Sequence, residues 1–471
     1  MKAFLHSLKG PLEWMMLVAL LSFFYLGAIE RVRFHGDESQ WIATSLYLET
    51  ALDATFSPPA WLTETPLTTN QRDEELKMRF PSWAIASLGD MQAPNGVWDT
   101  YYWTLTQPPV VRYVIGASRL LNGYTAASLN TPWDFDANHA ENARQGNWPS
   151  DGLLYSTRRS MAVLSIVSGV ILFGLVRQSA GATAGWCFAF LYALSGYLLT
   201  HLRRAMGDAP LLFFTCLAML AGMLALRAWD RIRKNGWQAS TPKQRILPLA
   251  WLAGMGIAAG LAGAAKMNGL GIALAGVLLS GAMAYGGPGL AARRTRLALA
   301  LGGSALVMGL CTATFVGVNP FLYPNPPART AAMFTLRTWE MDRNQRDPRW
   351  GMPTLGQRLQ TVSWRVLEDY TVFHFGVINV PLACIGLAAL LYAGRQWLVN
   401  RGGPPAAPVL LAVGCVTVLP ALTTPLDWDR YYLYPVIFLS VLIALGLGQG
   451  IHFIARKVRE AETVTESARE F

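Results

Sequence analysis

The chain has 471 residues, 52% hydrophobic and only 14% charged, with 39 Lys plus Arg against 29 Asp plus Glu for a net charge of +10. Soluble domains carry roughly 25% charged residues. So low a charge content, with a mean hydropathy of +0.29, excludes a disordered chain and argues against a water-soluble enzyme. The five cysteines, Cys187, Cys216, Cys311, Cys384 and Cys415, sit in apolar runs without CxxC or Cys/His spacing, which argues against a zinc motif or a disulfide framework.

In chain order, ten apolar stretches reach or approach the roughly 17–25 residues of a membrane helix. They cover about 11–29, 158–176, 183–202, 209–226, 247–264, 269–285, 297–318, 377–393, 409–424 and 431–454. The first is followed by Glu30-Arg31-Val32-Arg33 and no small-residue cleavage site, so it reads as a retained anchor and not a signal peptide. The expected fold is therefore an all-α polytopic membrane protein with about 10 transmembrane helices. Residues 1–471 form a single transmembrane domain without internal repeat or low-complexity tract.

Basic groups alternate between loops. Lys2 and Lys9, Arg177, the run from Arg227 to Arg245, Arg293/Arg294/Arg296, Arg395/Arg401 and Arg456/Lys457/Arg459 share one side if there are ten spans. The positive-inside rule then places both termini in the cytoplasm. Two long segments remain outside, 30–157 and 319–376. The first carries 15 acidic and 8 basic residues, a net of −7. Within it, Val110–Leu121 is too short to span and is interrupted by Arg112 and Arg119, as an interfacial helix would be. In the second, Leu355, Leu359, Val362, Val366 and Tyr370 recur at spacings of three and four, the period of an amphipathic helix on the outer face.

Chemistry-bearing residues gather outside. His35-Gly36-Asp37-Glu38-Ser39-Gln40-Trp41 follows the first span. Asp37 either caps the helix that begins there or serves as a general base. Because adjacent residues do not face one another on a helix, Asp37 and Glu38 do not form an acid/base dyad. Several cations lie on the side where the charge bias disfavours them: Arg158 and Arg159 at the second span, Arg203 and Arg204 closing the third, Lys266 between the fifth and sixth, Arg430 opening the tenth. Each either snorkels or pairs with an acid such as Asp208 or Asp429. Together they point to an anionic headgroup, which Arg binds as a fork and Lys as a point charge. Pro108-Pro109 starts the interfacial helix.

These features, in this order, resemble the polyprenyl-phosphate-sugar-dependent glycosyltransferases of the GT-C superfamily. The nearest branches are the protein O-mannosyltransferases and the aminoarabinose transferase of lipid A. The acidic pair of that family matches Asp37-Glu38. Its His-Pro-Pro element matches Gln107-Pro108-Pro109, with the His replaced. The Arg five residues before an Asp matches Arg203 and Asp208, the Gly-rich Lys segment matches Lys266, and the Arg-Tyr opening the last span matches Arg430-Tyr431.

The resemblance implies transfer of a sugar from a polyprenyl-phosphate carrier to an acceptor hydroxyl at the outer face of an inner or plasma membrane. Asp37 would be the base, with Glu38 second. Lys266, Arg203, Arg204, Arg430 and Arg158 would hold the lipid phosphate, and Asp208, Tyr431, Pro108 and Pro109 would support them. Asp208 would orient Arg203. The phosphate is already a good leaving group, so the scheme needs a base and cations, no metal and no cofactor beyond the donor substrate. The partners expected are membrane lipids, the lipid-linked sugar and a protein, glycolipid or glycan acceptor, with no nucleic acid. The competing reading is a lipid-linked-sugar flippase or transporter, for which inverted repeats and midplane polar groups would speak.

Overall fold

The computed structural model describes residues 2–52, 107–135, 137–285, 293–323, 325–399 and 402–469. Arg401 and much of the acidic segment 30–157 lie outside the described residues. Among the described residues the chain is helical, and its one β-bridge joins Gly351 to Leu426. Eight helices are long and apolar enough to cross a membrane, and the chain is a multi-pass integral membrane protein.

Helix α1 (Lys2–Leu26) holds a shorter apolar stretch, Gly10–Leu26. Two short helices follow, α2 (Gly36–Ala43) and α3 (Tyr47–Leu52), then α4 (Val110–Leu121) and α5 (His139–Arg144). Helix α6 (Asp151–Leu194) has 44 residues, which as a straight rod would extend about 66 Å, twice the hydrocarbon thickness. It instead folds back at Ala180–Gly181, where Gly181 adopts φ 87° and ψ 175°, a conformation suited to a residue without Cβ. The limbs run antiparallel: Tyr192 Oη donates to the Ser165 carbonyl at 2.9 Å. The second and third expected spans are thus the two limbs of this hairpin. The expected first span corresponds to the shorter apolar stretch of α1.

The short α7 (Gly196–His201) leads to α8 (Asp208–Asn235), and α9 (Pro242–Ala265) packs closely along it. A tight turn over Met267–Gly271 separates α9 from α10 (Ile272–Tyr285), and α11 (Arg293–Gly317) rises beside them. The second outer segment contains α12 (Pro326–Gln345), whose mixed charge hid it in the sequence, and α13 (Leu355–Trp364). Helices α14 (Gly376–Leu398), α15 (Ala406–Thr423) and α16 (Leu433–Arg469) complete the bundle.

Side-chain contacts define two ends. At one, Arg177 pairs with Glu13 at 2.8 Å, and Arg233 stacks over Trp397 while pairing with Asp230 at 2.6 Å. The other end carries α2–α5, α7, α12 and α13. One expectation changes here. Arg112 and Arg119 do not interrupt a surface helix; both are fully buried. Arg119 donates to Ser45 Oγ at 2.9 Å and pairs with Glu49. Arg112 donates to Thr44 Oγ1 at 3.1 Å and lies over the rings of Trp41 and Tyr47. Helix α4 is the floor on which α2 and α3 rest, and its cations are spent on that joint.

Candidate active site

Helix α2 positions the acidic pair. His35 is its N-cap: Nδ1 accepts from the Asp37 N–H at 3.1 Å, and Glu38 Oε2 accepts from the His35 N–H at 3.1 Å. This is a capping box with His as the cap, so Asp37 is not the cap. Gly36 is needed because a Cβ there would lie 2.6 Å from the Trp133 indole. Trp133 and Asn147 strap α2 in place: Gln40 Nε2 donates to the Trp133 carbonyl and Ser39 Oγ to the Asn147 carbonyl, both at 2.7 Å. Burial lowers the His35 pKa, with Asp37 opposing and Arg430 and Arg204 adding to the drop. A neutral imidazole is what lets Nδ1 accept the Asp37 amide.

From this turn the two carboxylates diverge. Glu38 is fully buried and accepts four hydrogen bonds. Arg158 Nε and Nη2 grip it as a fork at 2.8 and 2.7 Å, the Ala205 N–H reaches Oε1 at 2.9 Å, and the His35 N–H holds Oε2. Arg158 is itself 1% exposed and gives Nη1 to the Val32 carbonyl at 2.8 Å. Neither residue reaches solvent. Arg158, expected on the lipid phosphate, instead ties α6 to the turn after α1.

Asp37 is 9% exposed and ion-paired with Arg430. Burial raises its pKa, but Arg430, then His35 and Lys266, outweigh it and hold the carboxyl below its usual range. Arg430 keeps a fifth of its side chain exposed and lies 5.0 Å over the Trp428 ring.

Lys266 stands where α9 ends in an extended residue, φ −157° and ψ 130°. Its Nζ meets Asp208 Oδ1 at 2.8 Å and lies 5.9 Å from the Tyr431 ring centroid. The second Asp208 oxygen is buried without a hydrogen-bond partner. The expected pairing of Asp208 with Arg203 is therefore corrected: Lys266 is the partner, and Arg203 turns away. Arg203 donates to the Leu199 carbonyl at 2.6 Å and the Gly27 carbonyl at 3.0 Å, neutralising the C-terminal end of α1.

Arg204 is largely buried, donates to the Arg33 carbonyl at 3.3 Å and adds positive potential at His35. Pro108 and Pro109 are buried at the start of α4, with Pro109 as the N-cap residue. Tyr431 Oη accepts from Arg337 Nη2 at 2.7 Å.

Of the expected residues, Asp37, Lys266, Asp208, Arg430 and Tyr431 come together, with Arg204 beside them. Glu38, Arg158 and Arg203 hold the frame. Arg337 and His201, whose Nε2 lies 3.4 Å from Asp429 Oδ2, were missed. No local pattern announces either, since each meets its partner across the fold. The His35 cap was legible, because Glu38 follows three residues later. Among the described residues no group of His, Cys, Asp and Glu could hold a metal ion.

Residues 98–284 match the family described as dolichyl-phosphate-mannose-protein mannosyltransferase. That stretch includes Pro108, Pro109, Arg158, Arg203, Arg204, Asp208 and Lys266. No curated protein matches the sequence. The apo oligosaccharyltransferase of Archaeoglobus fulgidus is similar in fold, with a TM-score of 0.52 at 15% identity over 96% of this chain and 52% of that one. Its complex with Zn and sulfate aligns at 0.52 and 16%, over 96% and 51%. The S. cerevisiae protein O-mannosyltransferase Pmt1-Pmt2 complex bound to the sugar donor aligns at 0.42 and 16%, over 68% and 34%. The chain spans about half the length of the archaeal enzyme. The family match, over residues 98–284, agrees with the resemblance to the protein O-mannosyltransferases. The archaeal comparison bears out the polytopic all-helical fold.

Proposed function

We propose that the chain transfers a sugar from a polyprenyl-phosphate carrier to an acceptor hydroxyl. The observation that carries this reading is the meeting of one partly accessible carboxylate, Asp37, with Arg430 and Lys266 at one end of a membrane bundle. Asp37 takes the acceptor proton as the hydroxyl attacks the anomeric carbon. Arg430 and Lys266 receive the charge developing on the departing phosphate, and Arg204 adds to their field. Such groups act most strongly where water is excluded.

Both cations are paired with carboxylates in the structure, Arg430 with Asp37 and Lys266 with Asp208. A phosphate arriving at Arg430 competes directly with Asp37. Donor binding thereby frees the carboxylate just as a substrate proton needs an acceptor. Glu38, expected as the second catalytic carboxylate, has no comparable freedom and belongs to the frame.

The Asp37 end faces outward and both termini are cytoplasmic. In support, Arg177, Arg233 and Arg395 cluster toward the opposite end of the bundle, as the positive-inside rule requires. The setting is the inner or plasma membrane, with lipids around the bundle and a protein, glycolipid or glycan as acceptor. The charged groups of the candidate site gather toward one end of the bundle and not at midplane, which favours transfer over a flippase or transporter.

Reconstituting the purified protein in lipid with a panel of polyprenyl-phosphate sugars tests the proposal. At least one donor should be consumed, with free polyprenyl phosphate released and an acceptor glycosylated. Movement of an intact lipid-linked sugar across the bilayer, with no phosphate released, would overturn it.

A further inference from the structure

A cavity of about 660 Å³ opens beside α13, against Gln360, Ser363, Trp364, Arg365, Glu368 and Asp427. That volume falls within the roughly 300–1,000 Å³ of small-molecule sites. Its inner wall is braced. Arg365 is held by Asp427 at 2.8 Å and by Asp369 at 2.7 Å, and Asp427 also accepts from Tyr432 Oη at 2.8 Å. Glu368 is fixed by the Gly376 N–H at 2.9 Å. Its outer wall is open, and Trp364 is 62% exposed there.

The groove is distinct from the exposed apolar flank of α13. At about 100° per residue, Gln360 lies roughly 140° around α13 from Leu355, and Trp364 the same angle from Leu359. Leu355 and Leu359 are 62% and 46% exposed and form the apolar flank. Trp364 is therefore turned from that flank toward the polar cavity.

We propose that this groove binds a short glycan, and that the glycan carries the acceptor hydroxyl. An exposed indole presents a flat apolar face to the C–H face of a pyranose. An amide, a hydroxyl, a guanidinium and two carboxylates around it match the mixed donors and acceptors of ring hydroxyls. Asp427 ties the groove to the transfer site: it is three residues from Arg430, a separation of at most about 11 Å along the backbone. The acceptor role rests on the transfer reading above; glycan binding does not.

Saturation-transfer NMR on the full chain in lipid nanodiscs, with maltotriose, mannotriose and cellotriose as probes, separates the two. At least one trisaccharide should bind. Its affinity should fall at least about tenfold in Trp364→Ala, while Leu355→Ala leaves it unchanged. Binding by none of the three, binding indifferent to Trp364→Ala, or displacement of every trisaccharide by a Ser/Thr-rich peptide that needs Trp364 would overturn the proposal. If trisaccharides bind through Trp364 and no polyprenyl-phosphate sugar is consumed, the transfer reading fails and the glycan site stands.

Discussion

Asp37 and Glu38 are adjacent residues on one helical turn, yet the regions they enter behave oppositely. Glu38 points into the joint between α1, α6 and the segment before α8, where four donors saturate it and no water reaches it. Asp37 points into the cluster of Arg430 and Lys266, where its partner remains a fifth exposed. The lesson is that an ion pair's chemistry depends on what is left over. A carboxylate whose lone pairs are all used is scaffold; one that shares a single, partly hydrated cation can exchange it.

This contrast can be broken from either side. The largest effect on folding is expected from Glu38→Ala, which strands the buried Arg158. Removing one partner of a buried pair costs about 3–5 kcal/mol, enough to lose most folded protein. Thermal unfolding in detergent reads this, and a normal transition would show that the joint is dispensable. Next comes Lys266→Gln, whose amide can still donate to Asp208. Loss of one charge-assisted contact of about 1.5–3 kcal/mol should raise the donor KM roughly 10–100-fold with little change in folding, measured by initial rates against donor concentration.

Arg430→Gln sharpens the comparison through pH. With Arg430 present, the Asp37 pKa lies below the ordinary carboxylate value, about 3.9. A group depressed on folding contributes stability above its unfolded pKa and loses that contribution as pH falls through the folded one. Without Arg430, burial acts with less opposition. The acid limb of residual kcat/KM should then move up by about 1–3 pH units; an unmoved limb would detach Asp37 from the titration. The smallest effect belongs to Arg203→Ala. It removes a brace on the α1 carbonyls and should cost about 1 kcal/mol, with turnover changed less than twofold in the folded fraction.

Much of the frame was readable from sequence. Helix α4 begins and ends where Pro109 and the apolar run placed it, and the second and third apolar stretches meet at the α6 hairpin. Partner choice was not readable. Arg158, Arg203 and Arg430 are chemically alike, and each finds its contact far along the chain: Glu38 for Arg158, Gly27 for Arg203, Asp37 for Arg430. The family resemblance implied Arg203 and Asp208 as a pair, but a turn between α7 and α8 directs them to different helices. Arg112 misled for a related reason. A cation in an apolar run looks like a surface group until Trp41 and Tyr47 are seen to receive it.

The most direct measurement is the single-turnover rate of Asp37→Asn on a pre-bound polyprenyl-phosphate sugar, with folding verified by an unchanged thermal transition. Asn keeps the shape and removes the base, so the rate should fall by about 10²–10⁴-fold while the donor still binds. A folded Asp37→Asn protein that transfers sugar within a few-fold of the wild-type rate would contradict the assignment.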